Sequence, residues 1–477
     1  MQEVKSTDAL IAAWRQTIGR AKDAPAIFNT RGQVVRKFSE IEERACDFET
    51  KIELFNAGSV IAIRIGNHED WPSILIACLR KRLAVLPLEQ SISDQQRDAA
   101  LKICRAIGVV ETPVPGGKTP EVVQLRKTAP MPDWGEHLPG LLKLTSGTTA
   151  APRAVRFRSE QLLADCNQIC DTMGISDVDL NFGVIPISHS YGFSNLITPL
   201  IARGVPMVLS RDRMPRAVLA DLGGSNATVF PGMPVFYQAF CEMEKVPKLP
   251  NLRLCISAGA PLAIAVARQF RQKFNLPIHS FYGASECGGI CYEHDATNEE
   301  EGFVGQPMKG VDIEMVDPKA SASQIHVRSA ALGDGYFPQS DEAKLGGGFF
   351  VPDDLLTKTT NGFRIVGRTS DLINVAGKKV NPAEVEAHLL RFSGVHQAVV
   401  FRRASILRNE EVAACAVVSP GVSEAKLLEF CRRELSAWQV PKRVFIVDSI
   451  PVNERGKINR RELAHRFAGG RDRSPLR

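Results

Sequence analysis

From Val60 the chain reads VIAIRIG (Val60 to Gly66), an apolar run closed by glycine. It is followed by DWPSILIACLRKR (Asp70 to Arg82), in which the apolar residues recur at helical spacing, and then by AVLPLE (Ala84 to Glu89). Short apolar run, amphipathic stretch, short apolar run predicts a strand, helix, strand unit. Similar runs recur at VPMVLS (Val205 to Ser210), TVFPG (Thr228 to Gly232), LRLCISAGA (Leu252 to Ala260) and IHSFYG (Ile278 to Gly283), each closing on small or turn-forming residues. The pattern predicts parallel α/β architecture, which places ligands at the carboxyl ends of its strands. The turns after the last two runs are therefore candidate site loops.

A change of pattern near Gly367, where NGFRIVGRTSD passes from a strand-like run into a turn, predicts a boundary. Beyond it Asn381 is placed to cap a helix begun by Pro382, with Glu384 at the third helical position as the return half of a capping box. The rest reads as a small α+β domain: strands at Ala398 to Arg402, Val412 to Ser419 and Arg443 to Val447, and a helix from Glu424 to Leu435. A length of 477 residues also calls for at least two domains.

Composition narrows the class. Hydrophobic residues make up 44%, the range of a soluble globular protein. The N-terminus lacks the apolar core of a signal peptide and no apolar run is long enough to span a bilayer, so the expected location is the cytoplasm. The eleven cysteines form no Cys-x-x-Cys pair. Cys166/Cys170 and Cys287/Cys291 lie without a matching His cluster, which favours buried reduced thiols over a metal site. From Asp371 to Arg477 there are 19 Lys and Arg against 12 Asp and Glu, so the whole net charge of +6 belongs to the last fifth of the chain. Such a module suits polyphosphate, the phosphates of CoA or an acidic carrier protein, or is simply a solvated face. Aromatic residues at 7% and the lack of any nucleic-acid motif argue against DNA or RNA.

In KLTSGTTAAPRAV (Lys143 to Val155), the hydroxyls of Thr145, Ser146, Thr148 and Thr149 flank Gly147, a combination able to cradle phosphate oxygens with little bulk. It lacks the G-x-x-x-x-G-K-[ST] pattern, which disfavours a kinase or GTPase. Taken alone it would read as a solvent loop. Near the other end, PVNERGKINRREL (Pro451 to Leu463) sets Lys457 after a glycine. One positioned cation in a water-poor cleft lowers a barrier in which carboxylate and phosphate anions are brought together.

With FYGASE (Phe281 to Glu286) and GRTSDLINVAGKKVNPAEVE (Gly367 to Glu386), these segments resemble, in the right order, the signature of the adenylate-forming superfamily of acyl-CoA synthetases, adenylation domains and luciferases. The resemblance runs through nearly the whole chain. It implies an α/β fold: a large N-terminal domain (1–367) of stacked α/β subdomains with a small β-barrel, a hinge at 368–371 centred on Ser370, and a small mobile α+β domain (372–477). It implies ATP bound along Thr145 to Thr149 and Arg153, with Ser257, Gly259, Ala260 and Pro261 passing along the adenine and Tyr282, Gly283, Ala284 and Ser285 beside it. Glu286 would help hold Mg²⁺. Asp354 and Arg368 would contact the ribose or phosphate, and Lys457 would serve catalysis. This chain departs from the family pattern in three places. Ala150 and Ala154 replace the usual glycines, a stiffer loop; Pro352 and Asp353 replace the Thr-Gly before the ribose aspartate; Ser370 replaces the usual Asp or Lys.

Where amino-acid-activating members carry an aspartate, this chain reads PISHSYGFSNLI (Pro186 to Ile197), without an acid. His189 resembles the histidine that acyl- and aryl-CoA synthetases hold near the reacting carboxylate, although a lone histidine also suits a structural role. Met233, Phe236, Cys287 and Gly288 lie where family pockets form, implying an apolar acyl or aryl acid. The expected reaction is acyl-AMP formation with pyrophosphate release, then transfer to a thiol. CoA is the first choice; no carrier-domain serine motif is visible after the ligase region, so any carrier protein is expected to come from another chain. The alternatives are a ligase loading a separate carrier protein, and a nucleotide-binding regulatory protein whose altered loop has lost catalysis.

Overall fold

The structure, a computed structural model, describes residues 8–112, 119–125, 131–145, 153–297, 300–375, 377–405, 409–450 and 460–467. The chain divides into two compact units, the first comprising Met1–Glu314, His326–Pro352 and Thr360–Phe363, the second Met315–Ile325, Asp353–Thr359 and Arg364–Arg477.

In the first unit, strands Val60–Arg64 and Ala84–Pro87 pair in parallel, joined by helix Trp71–Arg80. Val60, Ile61, Ala62 and Ile63 are fully buried. That explains the unbroken apolar run, because a strand covered on both faces has no wet side toward which to alternate. Gly108–Glu111 flanks Val60–Arg64 in parallel. Leu141–Thr145 lies beside Ala84–Pro87, and Arg153–Phe157 and then Tyr336–Phe337 continue the sheet antiparallel. Local chemistry sets the helix ends. Ser93 and Gln96 close a reciprocal capping box on Asp94–Ile103, and Gly174, at φ +64°, ends Ser159–Met173 in the left-handed conformation glycine adopts without strain.

A second sheet in this unit sets Pro25–Asn29, Met207–Leu209, Asn181–Gly183, Val229–Gly232, Leu254–Ser257 and Ile278–Ala284 side by side in parallel, before Gly288–Tyr292 turns back antiparallel. The predicted runs are all present; the last extends by one residue, to Ala284, while the others lose one to three residues at an end that passes into a loop. Gly183, Gly232 and Ser257 thus end adjacent strands at one edge. In a small antiparallel sheet nearby in sequence, Phe350 lies between Val327 and Leu345.

The second unit is built on the antiparallel pair Val395–Ser405 and Asn409–Val418, with Arg443–Ile446 parallel to the latter and the hairpin Ile373–Val375, Lys378–Val380 on its flank. Helices Pro382–Leu390 and Glu424–Glu434 bury Val385, Leu389, Leu427 and Cys431 against Val400, Val412 and Ala414. Asn381 caps the first of these, its Oδ1 accepting from the Ala383 N–H at 3.2 Å. The capping box expected with Glu384 does not close, because that carboxylate instead accepts from Gln439 Nε2 at 3.2 Å. All eleven cysteines are free thiols and ten are buried. Among the described residues no helix is long and apolar enough to cross a membrane.

Candidate active site

The carboxyl edge of the parallel strands gathers the loops singled out in the sequence. The strand Asn181–Gly183 leads to His189, Leu254–Ser257 to Gly259, Ala260 and Pro261, and Ile278–Ala284 to Ser285 and Glu286. Asn67, buried, fixes the first of these loops: its Nδ2 donates to the carbonyls of Gly183 and Ile185, both at 3.1 Å, and its Oδ1 accepts from the Ile187 N–H at 2.9 Å. His189 Nδ1 accepts from the Tyr191 N–H at 3.2 Å. A neutral imidazole bonded this way carries its proton on Nε2. Ser190 Oγ donates to Ser285 Oγ at 3.0 Å, tying the His189 loop to the YGASE segment. Ser257 Oγ is buried without a hydrogen-bond partner among the described residues, and Gly259 sits at φ +86°. An unsatisfied hydroxyl at the end of a parallel strand is a polar position left for a ligand.

Around Glu286 the structure assembles a group the sequence did not announce. Tyr336 Oη donates to Glu286 Oε1 at 3.0 Å, and the Arg153 guanidinium lies 3.5 Å from the centre of the Tyr336 ring while pairing with Asp341 at 3.1 Å. The Gly333 N–H holds the Glu286 carbonyl at 2.9 Å. Burial pushes the Glu286 carboxyl above the usual glutamate range, opposed by the Tyr336 hydrogen bond and by the charges of Lys344 and Arg153. Burial and the Glu286 charge push the Tyr336 phenol well up, so it remains a donor. A half-buried carboxylate with one side-chain hydrogen-bond donor at Oε1 fits a hard cation. No cluster of three His, Cys, Asp or Glu exists among the described residues, so Mg²⁺ here would be shared between Glu286 and the phosphates it accompanies. Arg153, expected on phosphate, already has Asp341 as its partner.

Of the expected acid-pocket residues, Met233 is half-buried before helix Pro234–Glu242, and Phe236 packs with Phe230 and Phe240 in the core. Cys287 is completely buried, and burial pushes its thiol far up. Gly288 has φ +71°, and a Cβ there would fall 2.0 Å from Asp165 Oδ1, so only glycine fits. Asp165, from helix Ser159–Met173, is a buried carboxylate that sequence reasoning missed. It accepts from Ser194 Oγ at 2.5 Å and from the Gly289 N–H at 3.0 Å. Lys143, also missed, is 5% exposed with its ammonium 4.5 Å from the centre of the Phe157 ring. The one signal for it was a lysine inside the apolar strand LLKLT.

In the second unit Asp354, buried, accepts from Arg368 Nε at 2.7 Å. Ser370 lies in the 3₁₀ turn Thr369–Asp371, where its carbonyl accepts from Arg402 Nη2 at 3.1 Å. Ser146, Gly147, Thr148, Thr149, Ala150 and Lys457 lie outside the described residues. Thr145, at the end of its strand, donates through Oγ1 to the Arg153 carbonyl at 3.3 Å.

The chain resembles the probable CoA ligase CCL9 of Humulus lupulus, 27% identical over 464 residues that cover 86% of this chain and 87% of the relative. It resembles the oxalate–CoA ligase of Arabidopsis thaliana at 25% identity, over 90% of this chain and 93% of that one. Its fold matches ATP-bound MatB from Rhodopseudomonas palustris with a TM-score of 0.83 at 21% identity, covering 96% of this chain and 99% of that structure. The AMP-binding enzyme profile matches residues 14–337 and the profile of the C-terminal domain of AMP-binding enzymes matches residues 384–457, and on that extent the chain belongs to the AMP-binding enzyme family.

Proposed function

We propose that the protein is an acid–thiol ligase that converts a carboxylic acid and ATP into an acyl-AMP with release of pyrophosphate, then transfers the acyl group to a thiol, CoA first. The observation that carries this reading is the convergence of His189, Ser257 to Pro261 and Tyr282 to Glu286 at one strand edge of an AMP-binding fold, with the Glu286 carboxyl there raised by burial. The relatives' names, CoA ligase and oxalate–CoA ligase, support the same reading.

In this reading His189 orients the reacting carboxylate, while Tyr336 holds the Glu286 carboxyl in place. Mg²⁺, when bound with ATP, would neutralise phosphate charge beside Glu286. Asp354 and Arg368 present a paired acceptor and donor suited to ribose hydroxyls, and Lys457 supplies the cation at the reacting phosphate. Turning about Ser370 would then let the second unit serve the thiol step. The acid is one without an α-amino group, because Asp165, the buried carboxylate brought near Gly288, is already bonded by Ser194 and Gly289 and stands beside the positive Lys143. The working compartment is the cytoplasm.

The test is pyrophosphate release from ATP over a panel of carboxylic acids, with and without CoA. Acid-dependent release, with thioester appearing only when CoA is present, is expected. Acid-dependent release with no thioester points to a carrier-protein thiol. Nucleotide binding with no release for any acid would replace this reading with that of a regulatory nucleotide-binding protein.

A further inference from the structure

Lys143 stands on strand Leu141–Thr145, two residues before Thr145, so by strand alternation the two side chains share a face. The lysine is 5% exposed; its ammonium lies 4.5 Å from the centre of the Phe157 ring and 5.9 Å from that of Phe193, and makes no hydrogen bond or ion pair among the described residues. The ring faces satisfy part of the charge but none of its three donors. Burial lowers the lysine's affinity for its proton, while the neighbouring Asp165, Cys287 and Glu286 oppose that. Asp165, which accepts from Ser194 and Gly289, makes no direct bond to the ammonium.

An ammonium placed this way is costly unless something supplies an acceptor. Phe193 and Ser194 belong to the π-helical turn Phe193–Ile197 that follows His189, and Gly288 and Gly289 follow Glu286, so the polar cluster adjoins both loops assigned to the acid. We propose that Lys143 is a specificity-determining residue, which donates to an oxygen acceptor, a hydroxyl or a second carboxylate, carried by the substrate acid away from its reacting carboxylate. This rests on the acid–thiol ligase reading and replaces the apolar acyl or aryl acid expected from the sequence with one bearing a polar end. An amine-bearing acid is excluded by the same ammonium.

The experiment compares matched acids in the pyrophosphate assay: hexanoate, 6-hydroxyhexanoate and adipate, and 4-methylbenzoate, 4-hydroxybenzoate and terephthalate. In the unaltered protein the better oxygen-bearing acid of a set should exceed its methyl counterpart in kcat/KM by about a hundredfold, the scale on which a polar site rejects an analogue lacking its partner. Whether the hydroxyl or the carboxylate acid leads identifies the acceptor. Lys143→Met should bring the ratio to about one or invert it. Should that variant fail to fold because Asp165 is left uncompensated, Lys143→Met with Asp165→Asn removes both charges and reads the same ratio. A methyl preference in the unaltered protein, or a ratio untouched by either variant, overturns the proposal while leaving the ligase reading standing. No acid-dependent release from any acid in either set or in the wider panel removes both.

Discussion

Tyr336 and Glu286, fifty residues apart in sequence, meet as phenol donor and carboxylate acceptor at 3.0 Å. The tyrosine also presents its ring to Arg153, so one side chain links the family's acidic motif to the strand that follows the phosphate loop. Tyr336→Phe keeps the ring and deletes the donor. A partner that holds a metal-binding carboxylate typically changes metal affinity by about 10- to 100-fold. The Mg²⁺ concentration giving half-maximal pyrophosphate release should rise by that amount, with the fold intact by circular dichroism. An unchanged Mg²⁺ dependence would separate Tyr336 from the metal.

At Glu286 stability and the proposed metal role pull in opposite directions. Its carboxyl is raised above the usual range in the folded state, chiefly by burial. A group raised on folding favours the native state fully below its unfolded value, and that benefit is lost as pH rises through the folded value. At neutral pH the ionised side chain therefore costs stability, which Glu286→Gln relieves. The variant should melt higher than the parent at pH 7, and the difference should vanish at pH values below the ordinary glutamate range. Acyl-adenylate formation should meanwhile fall by about a hundredfold. A lower melting point at pH 7 would show that the hydrogen bond from Tyr336 outweighs burial.

Much of this fold was legible because the physics that writes it is local. The runs from Val60 and Thr228 are apolar since both faces of those strands are covered, and Asn381 announced a helix start that the structure makes. What was missed is long-range. Tyr336 lies on a two-residue strand, Tyr336–Phe337, whose meaning comes only from pairing with Arg153–Phe157 across most of the first unit. Asp165 looks like any polar residue of an amphipathic helix until Gly288 is folded against it. Arg153 was legible as a charge, but not its engagement by Asp341, because ion-pair partners carry no fixed spacing. Glu384 fitted the capping-box pattern and lost its return bond to Gln439 for the same reason.

Asp354 and Arg368 offer a way to separate ligand binding from structure. Asp354→Asn preserves shape but removes the charge facing Arg368 at 2.7 Å. If the pair binds ribose, KM for ATP should rise about 10- to 100-fold while kcat changes little, the signature of lost uniform binding. A fall in melting temperature with KM unchanged would make the pair purely structural.

Ser370→Pro tests the turn at Thr369–Asp371. Proline fixes φ and removes a backbone N–H, restricting a segment proposed to rotate between half-reactions. Thioester formation from preformed acyl-AMP should drop at least about tenfold more than pyrophosphate release does. Equal losses in both would place the pivot elsewhere.

Lys457→Ala addresses the residue assigned the transition-state charge. When the acid's carboxylate attacks the α-phosphate, two anions approach and negative charge grows on the phosphate oxygens and the departing pyrophosphate. A cation fixed at that point interacts more strongly with the transition state than with bound ATP, so its loss should lower kcat far more than it raises KM. Removing one preorganised charge partner typically slows the chemical step by about two to three orders of magnitude. The second half-reaction consumes the acyl-AMP by thiol attack at carbon and releases AMP, so it no longer builds charge on a pyrophosphate leaving group. The variant supplied with synthetic acyl-AMP and CoA should therefore form thioester at nearly the parental rate, while its release of pyrophosphate from ATP and acid is crippled. Near-parental pyrophosphate release, or an equal loss in both halves, would remove Lys457 from the adenylation step and leave it one basic residue among the many at this end of the chain.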